Sequence, residues 1–396
     1  MRFDVTIIGA GLAGLQCARL LGAKGISVLL VDRRSDLTKG VHTTGIFVRK
    51  TFEDFEFPAG TLGRPIRRVE LYSPRLRSIR LESNKDEFRI GRMGPLYESL
   101  LKECVASGVE FLPETRFVSV ESGVGSPHVS KGATRRGENS TVLLERNNTR
   151  FNINTKVIVG ADGANSAVAR SLGLDQNREM IVGFEEVYDR KETHSDPILH
   201  CFLDAELAPG YLAWIADDGA EVHVGVGGYS SAFKPREALE MFKEKIADKF
   251  DLDEMSFAES RGGRIPVGGV LRRIANENGL LIGDAAGAVS PLTAGGLDPC
   301  LRLSTYAAAV IAERIKRSDP KVLLGYSGSA FRTRFISRLW MRRLIALSKS
   351  QALLEIGCAV LRGRIGTRFA KHVFFGRGSF PDVPFYSAST EIGVSE

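Results

Sequence analysis

The chain predicts an α/β fold, with a Rossmann-like dinucleotide domain assembled from separated stretches and an inserted α+β substrate domain built on an antiparallel sheet. Three observations carry this. A glycine fingerprint, Gly9-x-Gly11-x-x-Gly14, stands directly behind a β-branched run at the start of the sequence. A second element, Gly283-Asp284, follows the apolar run Gly279 to Ile282 far downstream. Between them lie stretches in which apolar and polar residues alternate with period two, as in half-buried antiparallel strands.

Taken in order, Phe3 to Ile8 reads as a buried strand that the fingerprint turns into the helical pattern Leu15 to Leu21. The first glycine permits the tight turn, the second lets a pyrophosphate approach the backbone, and the third lets helix pack on strand. The free amides of the helix N-terminus, at Leu12 and Ala13, then face the phosphates. A second run, Ser27 to Val31, ends at Asp32, whose carboxylate suits ribose hydroxyls and argues against a 2′-phosphorylated nucleotide. Arg68 to Ser73 and Ser78 to Glu82 alternate as strands, and Leu96 to Val105 is helical in pattern with Arg92 just ahead of it. Arg116 to Glu121 and Thr141 to Arg146 alternate around the polar, Gly-rich stretch 122–140, which reads as an extended hairpin loop. Val157 to Val159 is an apolar strand running into Gly160-Ala161-Asp162-Gly163, after which Val168 to Leu172 looks helical. Ile198 to Leu203, Tyr211 to Ala216 and Glu221 to Gly228 alternate again and belong with the second sheet. No internal repeat is present in the sequence.

The fingerprint alone does not separate NAD from FAD. An NAD site is completed within one continuous domain, whereas an FAD site needs a further element for the ribityl chain and the flavin. Gly283-Asp284, with Pro291 and Gly295-Gly296 behind it and a helix opening near Gly295, supplies one. The Asp284 carboxylate suits a ribityl hydroxyl, and the N–H groups of Gly296, Leu297 and Asp298 suit the flavin pyrimidine edge, where negative charge collects on reduction.

Gly9/Gly11/Gly14, Asp162-Gly163 and Gly283-Asp284, in this order, resemble the three motifs of the p-hydroxybenzoate-hydroxylase-like flavoproteins over roughly residues 1 to 315. That resemblance implies a three-layer ββα FAD-binding domain and a non-covalent FAD. It places Arg92 near the pyrophosphate and ribityl chain, and Arg33, Thr44 and Phe117 among the cofactor-binding residues. The implied division is 1–64, 93–174 and 258–329 for the FAD domain, 65–92 and 175–257 for a substrate sheet that covers the isoalloxazine ring, and 330–396 for a basic helical region.

Within that family, Gly210-Tyr211-x-x-Trp214 with Val224-Gly225-x-Gly227, and the Pro291-Leu292-Thr293 block, are similar to the geranylgeranyl reductases. The resemblance implies saturation of isoprenoid double bonds by reduced FAD, with the apolar substrate lying along Tyr211 and Trp214. Two departures stand out. The cysteine-glycine loop over the flavin is replaced by Val41-His42-Thr43-Thr44-Gly45, leaving His42 and Thr44 as candidate catalytic residues by position, and the proline after the Trp-containing strand is replaced by Ala216-Asp217. Two other readings stay open on the same scaffold: an NAD(P)H-dependent aromatic monooxygenase or halogenase relative, and a membrane-associated flavin-binding electron-transfer module. The halogenase Trp-x-Trp-x-Ile-Pro signature is absent from the sequence. No second glycine fingerprint marks a nicotinamide domain, so the reductant is either NAD(P)H docking at the flavin face or a protein electron donor.

With 396 residues, 43% of them hydrophobic, the chain supports two domains with a substantial core. Five scattered cysteines without C-x-x-C spacing suggest neither a disulfide framework nor a metal site, and point to a reducing, cytoplasmic compartment. The sequence enters a strand within three residues and has no apolar run of about 18, so neither a signal peptide nor a membrane span is expected. The net charge of +7 is local: Phe331 to Arg377 holds eleven Lys/Arg and one acid, Glu355, while the rest carries 43 bases and 46 acids. There Phe335, Ile336, Leu339, Trp340, Leu344, Ile345 and Leu347 recur at helical spacing. This fits an interfacial helix making peripheral membrane contact through 331–377, and equally an ordinary helix with its apolar face on the core. Nucleic-acid binding is not expected, because no recognition motif accompanies the charge.

Overall fold

The computed structural model describes residues 1–121, 139–190, 196–229, 233–252, 255–332, 335–347 and 350–376. Most of the expected loop at 122–140, the basic residues Arg334, Lys349 and Arg377, and residues 378–396 lie outside the described residues.

Two sheets organise the chain. In the first, the Arg2–Ile8 strand lies in parallel between Val28–Val31 and Thr149–Gly160, with Glu110–Leu112 beyond one neighbour and Gly279–Leu281 beyond the other. Residues 5–8 and 157–160, with Val28–Val31 and Gly279–Leu281, are buried throughout, as central strands of a parallel sheet covered on both faces are. The Leu12–Gly22 and Leu297–Arg317 helices pack together on one side, and Leu15, Leu21, Leu301 and Ile311 join one core with Val5, Ile7 and Leu30. Gly9 has φ +105°, and a Cβ there would stand 2.3 Å from the Ala161 carbonyl oxygen. Glycine is therefore required where the first strand meets the Asp162-Gly163 turn.

The Thr149–Gly160 strand serves two layers. Its second half pairs in parallel with Arg2–Ile8, and its first half pairs antiparallel with Ser140–Arg146, which in turn pairs with Thr115–Glu121. The antiparallel extension is the second β layer expected of the ββα arrangement. It also bears out the antiparallel strands read from the flanks of 122–140.

The second sheet has seven strands in the order Ser256–Pro266, Met180–Asp189, Glu221–Tyr229, Ala213–Asp217, Ile198–Phe202, Arg68–Tyr72 and Ser78–Glu82. All neighbours are antiparallel except Ile198–Phe202 with Arg68–Tyr72. The expected strands are present, though the one sought at Tyr211 to Ala216 starts at Ala213. Two strands were not anticipated, and one of them, Ser256–Pro266, places the expected domain boundary at 257/258 inside a strand of this sheet. Its Arg-Gly-Gly-Arg centre breaks the apolar alternation that marks the others.

Period two then assigns the faces. Ile215, Val222, Val224 and Val226 bury against the Pro235–Ile246 helix. Trp214, His223, Gly225 and Gly227, of opposite parity, belong to the other face. The C-terminal helices Ile336–Leu347, Gln351–Leu361 and Arg364–Phe375 close over that region, with Leu361, Phe374 and Phe375 packed beside Val69 and Leu71.

Candidate functional site

One cleft of about 1510 Å³ runs between the two sheets. Its wall takes Gly9, Gly11, Leu12, Ala13, Asp32 and Arg33 from the first sheet, His42 and Thr44 from the loop behind it, and Phe117, Asp162 and Gly163 from the ββ layer and its turn. Gly283, Asp284, Gly295, Gly296 and Leu297 line it as well, as do Tyr211 and Trp214 of the second sheet. Residues expected from widely separated motifs thus share one cavity.

The nucleotide end fits a dinucleotide. Gly11 is the N-cap of the Leu12–Gly22 helix, with no side-chain cap and no acid in the first turn, so the first amides are left for an anion. A Cβ at Gly11 would meet nothing within 4 Å and would project into space a ligand needs. Gly14 does not line the cleft; a Cβ there would stand 1.8 Å from the Gly9 carbonyl oxygen, so it serves helix packing. Asp32 accepts from the Ala10 amide (2.7 Å) and from Arg34 through its amide, Nε and Nη2 (2.9, 3.0 and 3.1 Å). Burial works to raise this carboxyl, but the Arg34 hydrogen bonds and charge, with the Ala10 amide, outweigh it and hold Asp32 below its usual range. Arg34, rather than Arg33, is the residue that holds it.

At the second and third motifs, Asp162 caps the short Ala167–Ser171 helix, its Oδ2 accepting from the Ala167 and Val168 amides (2.7 and 3.1 Å). Its Oδ1 is buried on the cleft without a protein partner, as an atom awaiting a ligand hydroxyl or amide would be. Asn177, which no motif flagged, ties the two turns together by donating to the Ala164 and Asp284 carbonyls (3.0 and 2.8 Å). Burial pushes the Asp284 carboxyl up to about 6. The Leu297–Arg317 helix starts at Gly296 with no side-chain cap.

Across the cleft, Gly225 lies in register with Trp214 on one side and Glu185 on the other. A Cβ at Gly225 would meet the Trp214 ring at 2.3 Å and the Glu185 Cβ at 2.9 Å, so the glycine is the gap through which the indole reaches the carboxylate. Glu185 Oε2 accepts from Trp214 Nε1 (3.2 Å) and from the Thr44 hydroxyl (2.5 Å). Its Oε1 stands 3.5 Å from His223 Nδ1, and His223 Nε2 stands 3.4 Å from Glu221 Oε2. Both Glu185 and His223 are buried. Burial opposes charge on each, yet the hydrogen bond and charge of His223, with the Thr44 hydroxyl and Arg261, hold Glu185 low, and the two carboxylates hold His223 high. The arrangement is a buried histidine between two acidic side chains, with its Nε2 near Glu221 but making no hydrogen bond.

Besides Gly14, two expected residues are placed off the cleft. Arg92 does not line the cleft: its Nη2 lies 2.7 Å from Asp218, fully buried, and its Nη1 lies 2.8 Å from Glu221. A fully buried carboxylate whose Oδ1 already holds the Ala220 and Glu221 amides makes the stronger claim on that guanidinium. Pro291 is also off the cleft, against Gly269. His42 lines it, but its Nδ1 is bound to the Gly262 carbonyl (2.8 Å). Tyr211 packs edge-on to Trp214, under Arg342, and donates to the Thr293 carbonyl (2.7 Å). The residues that the motifs missed carried a different signal. Glu185 is an acid on the buried parity of an alternating strand, and His223 interrupts an otherwise apolar one.

Comparison with known proteins agrees with this geometry. The family model described as FAD binding domain matches residues 2–57 and 100–341. The digeranylgeranylglycerophospholipid reductase of Methanothrix thermoacetophila is 25% identical over 332 residues, covering 81% of each chain. Digeranylgeranylglycerophospholipid reductase 2 of Methanopyrus kandleri is 27% identical over 335 residues, covering 81% of this chain and 79% of its own. Among solved structures, a geranylgeranyl bacteriochlorophyll reductase-like protein from Thermoplasma acidophilum superposes with TM-score 0.79 at 18% identity, over 95% of this chain and 97% of its own. The p-nitrophenol 4-monooxygenase of Pseudomonas putida gives 0.64 at 15% identity, over 95% and 93%. These structural likenesses speak to the fold, which the scaffold shares across reductases and monooxygenases.

Proposed function

The chain belongs to the FAD binding domain family, and from that premise we propose that it reduces carbon–carbon double bonds in the isoprenoid chains of a lipid. It is an FAD-dependent oxidoreductase. The observation that carries the substrate reading is the cleft. At about 1510 Å³, the cofactor's own place included, it has room for a second ligand beside the cofactor. It continues past the cofactor residues along an apolar wall that includes Leu71, Leu199, Leu212, Trp214, Leu361 and Phe374. Such a wall suits a long hydrocarbon and offers few partners to a small phenol. The named reductases among the relatives support the same class.

In this reading Gly9, Gly11, Leu12, Ala13 and Asp32 hold the adenosine and diphosphate, with Arg33 and Phe117 flanking. Asp162, Gly163, Gly283 and Asp284 hold the ribityl chain, and Gly295, Gly296 and Leu297 hold the flavin edge. Bound FAD, once reduced, supplies a hydride. Tyr211 and Trp214 fix where the substrate chain lies against it, and the apolar wall excludes water. The test is anaerobic: dithionite-reduced holoenzyme mixed with digeranylgeranylglycerophospholipid in detergent is expected to reoxidise its flavin and yield a product heavier by two hydrogens per bond. No reoxidation by the lipid, with NAD(P)H-dependent oxygen uptake on addition of phenols, would replace this reading by the monooxygenase one.

The apolar end of the cleft is formed by helices that also bear exposed apolar residues: Trp340, Leu344, Leu353, Ile356, Ile365 and Phe369. Arg343, Arg362, Arg364, Arg368 and Lys371 stand among them on the same helices. Arg342, counted with this basic set in the sequence, is buried between Tyr211 and Tyr229 and belongs to the core. Peripheral docking of these helices on an anionic membrane would put the cleft mouth at the lipid, and no helix among the described residues is long and apolar enough to cross one. The protein is expected to co-sediment with phosphatidylglycerol vesicles at low salt and not with phosphatidylcholine. Ile365→Asp with Phe369→Asp should abolish co-sedimentation; unchanged binding by that double variant would remove the docking face.

A further inference from the structure

We infer that Arg338 supplies the positive charge that stabilises the reduced flavin, from beside the turn that leads into the Leu297–Arg317 helix. This rests on the cofactor reading above, in which Gly295, Gly296 and Leu297 hold the flavin edge. Two-electron reduction leaves negative charge on the N1–C2=O side of the flavin pyrimidine, and a fixed cation beside it favours that state. The stretch Pro291 to Asp298 holds no basic residue of its own, so the cation has to come from another element.

Arg338 lines the cleft from the Ile336–Leu347 helix, one turn before Met341. Its Nη1 donates to Ser290 Oγ (3.0 Å), which puts the guanidinium itself at the turn. The Ser290 amide donates to the Gly295 carbonyl (3.0 Å) and Thr293 Oγ1 donates to Ser290 Oγ (3.0 Å), so the residue that Arg338 holds is the one that closes the turn onto Gly295. A Cβ at Gly295 would meet nothing nearer than Thr293 Oγ1 at 3.4 Å, and the cleft side of that glycine is open. Burial lowers the guanidinium from its ordinary value and the Asp298 charge opposes this, but an arginine stays charged either way. Asp298 is itself balanced from behind: it accepts from Arg302 Nε (2.9 Å) and the Thr51 hydroxyl (3.1 Å), and Arg302 also reaches Asp54 (2.7 Å). Asp284, whose Oδ1 would stand 3.5 Å from a Cβ at Gly296, works against charge on the flavin and makes a cation at the turn the more needed. Other arginines on the cleft wall are engaged elsewhere, Arg34 with Asp32, Arg49 with Glu87, and Arg261 with Glu259 and the Thr43 carbonyl.

The experiment titrates FAD-loaded protein with sulfite. Sulfite bonds through sulfur to flavin N5, and the electron pair displaced from the ring's C=N bond moves to N1–C2=O with no leaving group, so bleaching of the flavin's visible band reads the charge environment there as a dissociation constant. Arg338→Met and Arg338→Gln are expected to weaken sulfite at least ~10-fold, as loss of one charge within about 10 Å at an effective dielectric near 20 does. The two-electron potential should fall by about 30 mV or more, the same tenfold change. Arg338→Lys keeps the charge and should stay within about threefold of wild type. The oxidised ring is neutral, so FAD affinity should change little in all three. Glutamine keeps a donor for Ser290; a role confined to that hydrogen bond predicts that Gln and Lys behave alike, whereas charge predicts that they part. Gly295→Leu checks the flavin's position separately, because filling the open side of that glycine should weaken FAD at least ~10-fold. Arg338→Gln and Arg338→Lys within about threefold of each other in sulfite affinity, with Gly295→Leu weakened, overturns the role of Arg338 and leaves the cofactor reading standing. Gly295→Leu protein that binds FAD as wild type does removes the flavin edge from this turn, and the role of Arg338 with it.

Discussion

Replacing Gly11 by aspartate is expected to leave a folded protein that no longer holds FAD. Gly11 has φ −78° and ψ −175°, an extended conformation open to any residue, and a Cβ there meets nothing within 4 Å. Aspartate is moreover a better helix N-cap than glycine, by a few tenths of a kcal/mol, so thermal stability should hold or rise slightly. The ligand fares differently. The new carboxylate takes the amides meant for the pyrophosphate and adds a like charge beside it. At about 4 Å and an effective dielectric near 20, that repulsion alone is about 4 kcal/mol, or roughly a thousandfold in Kd. FAD titration by fluorescence, beside a melting curve, separates the two effects. Gly9→Ala is the contrast: with φ +105° and a Cβ 2.3 Å from the Ala161 carbonyl oxygen, it should damage the fold before the ligand. A Gly11→Asp protein whose FAD affinity stays within about tenfold of wild type would mean the pyrophosphate does not sit on this helix.

The contrast between those two glycines shows what the sequence reveals. Gly9, Gly11 and Gly14 stand next to a strand they must turn, so their jobs are local and legible from spacing. Asp162-Gly163 and Gly283-Asp284 were legible for the same reason, each closing an apolar strand. Arg92 was not. Its position ahead of a helix suggested the flavin, but its partner is decided by Asp218, which only the folded sheet brings within 2.7 Å. Glu185 and His223 lie on strands of different origin and meet only through the register that sets Glu185 opposite Gly225. Ser256–Pro266 was invisible as a strand because its Gly262-Gly263 centre carries no side-chain alternation. Ile336, Trp340 and Leu344 were visible as exposed apolar residues at helical spacing, but Arg342 shows that a charge count cannot tell a solvated arginine from one buried between two tyrosines.

Glu185→Leu should be among the most damaging single changes in the second sheet, because it strands a buried imidazolium. Breaking one side of a buried ion pair costs about 3–5 kcal/mol, whereas replacing both partners by apolar residues is often neutral. Glu185→Leu should therefore lose that amount by urea denaturation, and Glu185→Leu with His223→Leu should recover much of it, a coupling that a double-mutant cycle measures. The pH dependence follows from the directions of the shifts. Glu185 is held below its ordinary 4.5, so its contribution is complete above that value and is lost as pH falls through its depressed folded value. His223 is held above its ordinary 6.5, so its contribution is complete below 6.5 and is lost as pH rises through its raised folded value. Both are present in full between 4.5 and 6.5. On the alkaline side the wild-type urea midpoint should fall, and in His223→Gln that decline should disappear. A wild-type midpoint that is level across the alkaline range, with a Glu185→Leu cost under about 1 kcal/mol, would mean that Glu185 and His223 are both neutral in the folded protein. A neutral Glu185 could still accept from the indole of Trp214 and hold it in place.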